Sequence, residues 1–135
     1  MYTKRKGVYA VIFHATNDKV AVVQTERGHC FLPGGGLNGD ETEVDCLRRE
    51  VREETGYEVS VHCFIGKATH HFYSMTNEPI ENEGTFYIAQ LLYQTGEQVD
   101  VDHLLIWLRE DQAERLLVHE HHRWAVREGY RRRRI

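Results

Sequence analysis

The segment FLPGGGLNGDETEVDCLRREVREETGY, residues 31–57, constrains the fold more than any other part of the chain. An apolar pair, Phe31-Leu32, runs into Pro33-Gly34-Gly35-Gly36. Nothing regular is expected to continue there, because proline lacks an N–H and glycine leaves the backbone unrestrained. Asp40 then offers an N-cap with Glu43 as its capping-box partner, and Gly56 is a natural stop. A helix from about Asp40 to Thr55 follows. The fold must therefore set a helix directly after a loop whose backbone can approach a ligand closely.

On that helix Val44, Leu47 and Val51 form a narrow apolar stripe that predicts docking on a sheet. Beside it Glu50, Glu53 and Glu54 stand at i, i+3 and i+4, a spacing at which like charges cost roughly 0.2–0.5 kcal/mol per pair. Arg49 is placed to pair with Glu53, whereas Arg48 and Arg52 point elsewhere, so the acidic face is only partly neutralised. One reading is a solvated surface laced with ion pairs. The other is a seat for a hard divalent cation, since Mg²⁺ takes a few carboxylates, retained waters and phosphate oxygens. The adjacent glycine loop favours the second.

The rest of the chain reads mostly as strands. Val8–His14 and Lys19–Thr25 flank Ala15-Thr16-Asn17-Asp18 and predict a hairpin. Glu58–Tyr73 predicts a long strand bent near Gly66, followed by strands at Thr85–Tyr93 and Leu104–Leu108. Two closing helices are expected at about Glu110–Val118 and Glu120–Arg132. This order predicts an α/β protein of the α+β kind, with helices against a mixed sheet. At 135 residues the chain has the size of a single domain over 1–135, with ordinary globular proportions of 41% hydrophobic and 28% charged residues.

Apolar runs such as Val8–Phe13 fall far short of the roughly 20 residues that cross a bilayer, so no membrane partner is expected. The basic N-terminus lacks the apolar stretch of a signal peptide. Cys30, Cys46 and Cys63 are an odd, scattered set without CxxC, which fits a reducing, cytoplasmic location. A net charge of −4 argues against nucleic-acid binding. The basic run Arg131–Arg134, with Arg123 and Arg127 on the stripe of Arg131, reads as a solvated helix end that complements the macrodipole.

Gly35, five residues, Glu41, seven residues, then Arg49-Glu50-Val51-Arg52-Glu53-Glu54-Thr55-Gly56-Tyr57 resembles the Nudix box, G-x5-E-x7-R-E-U-x-E-E-x-G-U with U aliphatic. Tyr57 departs from the pattern at the last position. The strand order is similar to the Nudix α/β/α sandwich with a mixed sheet, and Trp107-x5-Ala113 resembles the strand-to-helix junction of that family. The resemblance implies a hydrolase that cleaves the pyrophosphate bond of a nucleoside diphosphate linked to another moiety, with Mg²⁺ or Mn²⁺. It implies Glu50, Glu53 and Glu54 as metal ligands, the Gly34 carbonyl as a further one and Glu41 as a secondary one. Arg49 would orient a glutamate, and Glu53 is the first choice of base. A loop carboxylate (Glu81, Glu83, Glu97, Asp100 or Asp102) is the alternative completion of the site.

Substrate residues are less defined. Many relatives carry G-x-W-x-x-P-G-G before the box, but here Cys30 stands at the tryptophan position. Arg27 and His29, beside the glycine loop, are candidates for substrate contact. Tyr73, sixteen residues beyond the box, resembles a marker of diadenosine polyphosphate hydrolases, and Phe72 stands where ADP-ribose pyrophosphatases carry proline. The histidines at 70, 71, 119, 121 and 122 read as exposed side chains; adjacent strand histidines point to opposite faces and cannot easily share a metal, while His119 and His122 at i, i+3 could share a face, which leaves a transition-metal site as the lesser reading. The partner is a small-molecule nucleotide, and a homodimer stays open. A nucleotide-binding or sensor module without catalysis is the competing class, although such modules usually lose box glutamates and this chain keeps them. RNA-end processing is disfavoured by the acidic balance.

Overall fold

The computed structural model describes residues 1–96 and 98–133, so Glu97 and Arg134 lie outside the described residues. The elements are β1 (Thr3–Ile12), β2 (Val20–Gln24), β3 (Cys30–Phe31), β4 (Gly34–Gly36), α1 (Glu43–Thr55), β5 (Tyr57–Tyr73), β6 (Pro79–Gln94), β7 (Leu104–Leu108), α2 (Glu110–Leu116) and α3 (Glu120–Arg133). One sheet has the order β4-β1-β6-β5 and the other β3-β2-β7. In the larger sheet β1 and β6 run parallel, from Thr3↔Ile80 to Ile12↔Ala89, while β4 and β5 pair antiparallel, which makes that sheet mixed as expected.

Alternation along β1 explains the layers. Val8, Ala10 and Ile12 face a core shared with Leu47 and Val51 of α1. Tyr9, Val11 and Phe13 face the opposite core, with Ala125, Val126 and Tyr130 of α3. A strand buried on both faces reads as continuous apolar sequence, which is what Val8–Phe13 is. Among the described residues no helix is long and apolar enough to cross a membrane.

Four local expectations are corrected. The hairpin of β1 and β2 is reduced to one bridge, Phe13↔Val20, because β1 already has β4 and β6 on its edges and β2 takes β3 and β7. Gly34–Gly36 is not irregular: it pairs antiparallel with β1, Tyr9↔Gly34 to Gly7↔Gly36, since glycine lets the backbones close up. The N-cap is Thr42, whose Oγ1 accepts the Asp45 N–H at 3.1 Å; Asp40 sits in the preceding turn, and Glu43 instead accepts from Tyr87 Oη at 2.6 Å. Val44 is 41% exposed, and the buried face of α1 is Cys46, Leu47, Val51 and Thr55. Gly56 does end the helix, at φ 76°, with its N–H on Arg52 O at 2.8 Å.

Tyr57, the departure in the box, opens β5 opposite Gln94 and lines a groove with Leu91 and Trp107. The basic stripe of α3 is matched by acids: Arg123 with Glu120, Arg127 with Glu114 and Glu120, and Arg131 with Glu128.

Candidate active site

The site forms where β4 crosses the last two turns of α1. Gly34 holds φ +139°, a conformation that disfavours any side chain, and a Cβ there would strike the Val8 carbonyl. A Cβ on Gly35 would lie 2.5 Å from the carboxyl carbon of Glu50. Bare backbone is thus what lets the loop lie on the acidic face. The Gly34 N–H donates to Glu54 Oε1 at 2.9 Å.

Arg49 connects the rest. Its Nε and Nη2 donate to Glu41 at 2.6 and 3.0 Å, its Nη1 to Glu50 at 3.0 Å and Glu53 at 2.9 Å, and its Nη2 to Gly36 O at 3.1 Å. The predicted Glu53 pairing is present, and Glu41 and Glu50 share the same guanidinium. Arg48 and Arg52 turn away to Glu58. The hydrogen bond from Arg49 holds the Glu41 carboxyl down at about 2.

Glu54 is left out of this network. Its carboxyl is pushed well above the usual range, first by burial and then by Glu50, Asp100 and Glu53, with only the Gly34 N–H opposing. Burial also raises Glu50, with Arg49 opposing. Asp100 reaches the cluster because its loop is tied to the end of α1: the N–H groups of Val99 and Asp100 donate to Glu53 O at 3.0 and 2.9 Å, and Gln98 Nε2 donates to Glu54 O at 3.0 Å. Of the loop carboxylates, Asp100 is thus brought to the cluster. Glu81 pairs with His71 instead.

The donor set suits a hard cation. A part-buried carboxylate without an ion pair among the described residues, flanked by two others, is costly until a positive charge joins it. Among the described residues no three His, Cys, Asp or Glu side chains form a finished cage, because Glu50 and Glu53 are turned onto Arg49.

Two cavities flank β4. One, of about 180 Å³, is lined by Gly34, Glu54, Val23, Phe31, His103 and His122 among others. The second, of about 240 Å³, is lined by Arg5, Lys6, Phe72 and Asn82. Tyr9 and His119 line both. Arg27 and His29 are exposed in the β2–β3 turn and line neither. Tyr73, at 69% exposure, also lines neither, while Phe72 turns inward. Three register shifts in β5 make strand parity unreadable from sequence.

The histidines are the largest departure from expectation. His121 and His122 are buried, and His119 and His70 pack beside them and Phe72. Burial, then neighbouring imidazoles, brings His119 to about 4 and His121 to about 3, and holds His122 well below the ordinary range. His71 is exposed, on the opposite side of β5 from His70. The signal was available for His122: it shares the helical stripe of Val126, Gly129 and Tyr130, all buried.

The NUDIX domain family matches residues 3–129. A NUDIX hydrolase from Nitrosomonas europaea superposes with a TM-score of 0.79 at 18% identity, over 96% of this chain and 90% of that one. An ADP-ribose pyrophosphatase from Streptococcus suis gives 0.74 at 20% identity, over 98% and 94%. At such identities these likenesses speak for the fold. The mRNA-decapping enzyme subunit 2 of Saccharomyces cerevisiae is 38% identical over 52 residues, which are 38% of this chain and 5% of that protein's length.

Proposed function

The chain belongs to the NUDIX family, and we propose that it hydrolyses the pyrophosphate bond of a nucleoside diphosphate linked to another moiety, using Mg²⁺ or Mn²⁺. The observation that carries this is Glu54: a part-buried carboxylate beside Glu50, Glu53 and Asp100, with the Gly34 N–H but, among the described residues, no cation paired to it. The mixed sheet and the superposed hydrolases support the same reading.

Glu50, Glu53 and Glu54 would hold the metal, with the Gly34 carbonyl as a further ligand and Glu41 as a secondary one. When bound, a divalent cation offsets phosphate charge and lowers the pKa of water. The protein's own part is positional. Arg49 holds Glu50 and Glu53 from one nitrogen, so the two carboxylates share a fixed anchor. Glu53, whose side chain is 34% exposed, is the proposed base because it is the more exposed of the two carboxylates that this Arg49 nitrogen anchors. Asp100 is the alternative base. Arg5 and Lys6 suit the anionic part of a substrate in the second cavity.

The test is a panel of nucleoside triphosphates, dinucleoside polyphosphates, nucleotide-sugars, ADP-ribose and capped RNA, assayed with Mg²⁺ or Mn²⁺. Similar folds in a UDP-X diphosphatase and a dihydroneopterin triphosphate pyrophosphohydrolase justify its breadth, and the decapping relative justifies the RNA. Turnover of at least one member, lost in Glu53→Gln, is expected. Binding without turnover across the panel would make the chain a binding module instead.

A further inference from the structure

Past the far end of β1 lies a cavity of about 430 Å³, larger than either cavity beside β4 and sharing no lining residue with them. That volume is in the range of small-molecule sites. Phe13, Ile88 and Ala89 give it apolar walls. It adjoins the groove of Tyr57, Leu91 and Trp107, with which it shares Phe13, His14, Ala15 and Gln90.

The charged part of this lining has one sign. Arg132 and Arg133 reach it from the end of α3, and no Asp or Glu lines it. Arg132 donates from Nη1 to Phe64 O at 2.7 Å and from Nη2 to Ile65 O at 2.9 Å, which fixes the guanidinium without neutralising it. Arg133 lies over the Phe13 ring, 4.4 Å from its centroid, and its partner Asp18, at 3.4 Å, is 87% exposed. So exposed a pair neutralises little. A bulge in β5 adds an imidazole: Val61 pairs with Ala89 and Cys63 with Ile88, which leaves His62 as the extra residue. His62 and Cys63 therefore line one cavity, where a regular strand would turn them to opposite faces. In a chain of net charge −4, such a cavity selects an anion. Two guanidiniums suit the oxygens of a phosphate monoester, and the aromatic groove beside them suits a flat ring.

From this charge complementarity we propose that the cavity is a second, non-catalytic site for a nucleoside 5′-monophosphate, with the phosphate on Arg132 and Arg133 and the base in the groove of Tyr57 and Trp107. Gln90 and His14, which line both compartments, supply polar groups for the sugar between them. The ligand belongs to the class of product that the proposed hydrolysis releases, yet the site stands without that reading, because none of its residues belongs to the carboxylate cluster.

Cys63 reports on occupancy, since it is exposed in the cavity whereas Cys30 and Cys46 are buried. The full chain is treated with iodoacetamide in EDTA, and alkylation of Cys63 is followed by mass spectrometry. The ligands compared are adenosine and uridine 5′-monophosphates, ribose 5-phosphate and adenosine. At least one nucleotide should slow alkylation saturably, about fivefold at about four times its Kd by mass action. Ribose 5-phosphate, which lacks the ring, should need at least about fivefold more for the same effect. Adenosine, which lacks the phosphate, should need at least about tenfold more. Arg132→Gln and Arg133→Gln should each weaken protection about tenfold or more. Cys30 and Cys46 should stay unreactive in both variants, which reports an intact fold. No protection by either nucleotide, equal protection by ribose 5-phosphate or adenosine, or protection unchanged in both variants overturns the proposal. Protection without turnover of any substrate would keep this site and remove the hydrolase reading; turnover without protection would do the reverse.

Discussion

Glu54 and Arg49 show how one residue sets the behaviour of a neighbour. Arg49 satisfies three carboxylates and a carbonyl, and the fourth carboxylate, Glu54, lies beyond its reach. A carboxyl raised by burial binds its proton more tightly folded than unfolded. Its contribution is therefore full below the unfolded pKa and is lost as pH rises through the folded one. Above the unfolded pKa Glu54 therefore opposes folding. Glu54→Gln, which keeps an acceptor for Gly34 N–H, should raise the melting temperature in EDTA by about 3–5 °C for each kcal/mol relieved. The same change should abolish the stabilisation by Mg²⁺ or Mn²⁺, which reaches about 2.7 kcal/mol at a hundredfold excess over Kd in the unaltered protein. A thermal melt with and without metal measures both, and a lower melting temperature in EDTA would refute the assignment.

Helix α1 and strand β5 show what local sequence can specify in an element. The stop at Gly56 was legible because a left-handed C-cap strongly favours glycine. The start was not legible because side-chain chemistry alone favours Asp40 over Thr42 as a cap. The choice fell to the turn closed by Glu41 N–H on Asn38 O, 2.9 Å, which places Asp40 outside the helix. Thr42→Ala should therefore cost about 1 kcal/mol in urea unfolding, while Asp40→Ala should stay within about 0.5 kcal/mol. In β5, the bend at Gly66 was readable from the glycine. The shifts at Glu58/Val59, Val61/Cys63 and Phe64/Gly66 were not, and they decide that Phe72 rather than Tyr73 faces the cleft.

Across the whole molecule, the buried imidazoles of His121 and His122 make the fold sensitive to acid. Their folded pKa values lie below the ordinary 6.5, so the unfolded chain binds more protons once pH falls below about 6.5. Stability then drops by about 1.4 kcal/mol per pH unit for each group, continuing for His121 to about 3. Glu54 works in the opposite direction, so Glu54→Gln in EDTA exposes the effect most clearly. Its unfolding free energy should fall by about 2–3 kcal/mol between about pH 7.5 and about pH 5.5, and a flat profile in urea titrations would contradict the buried, neutral imidazoles. By itself the sequence determined the box spacing, the helix that carries its carboxylates and the alternation that layers β1, because these follow from neighbours a few residues apart. Tertiary structure alone decided that β2 leaves β1 for another sheet, that Arg49 gathers Glu41 and Glu50 as well as Glu53, and that Asp100 and His122 meet Glu54 and Gly34. Those outcomes depend on which distant backbone covers a face and on where a register slips, and neither is encoded in the period of one segment.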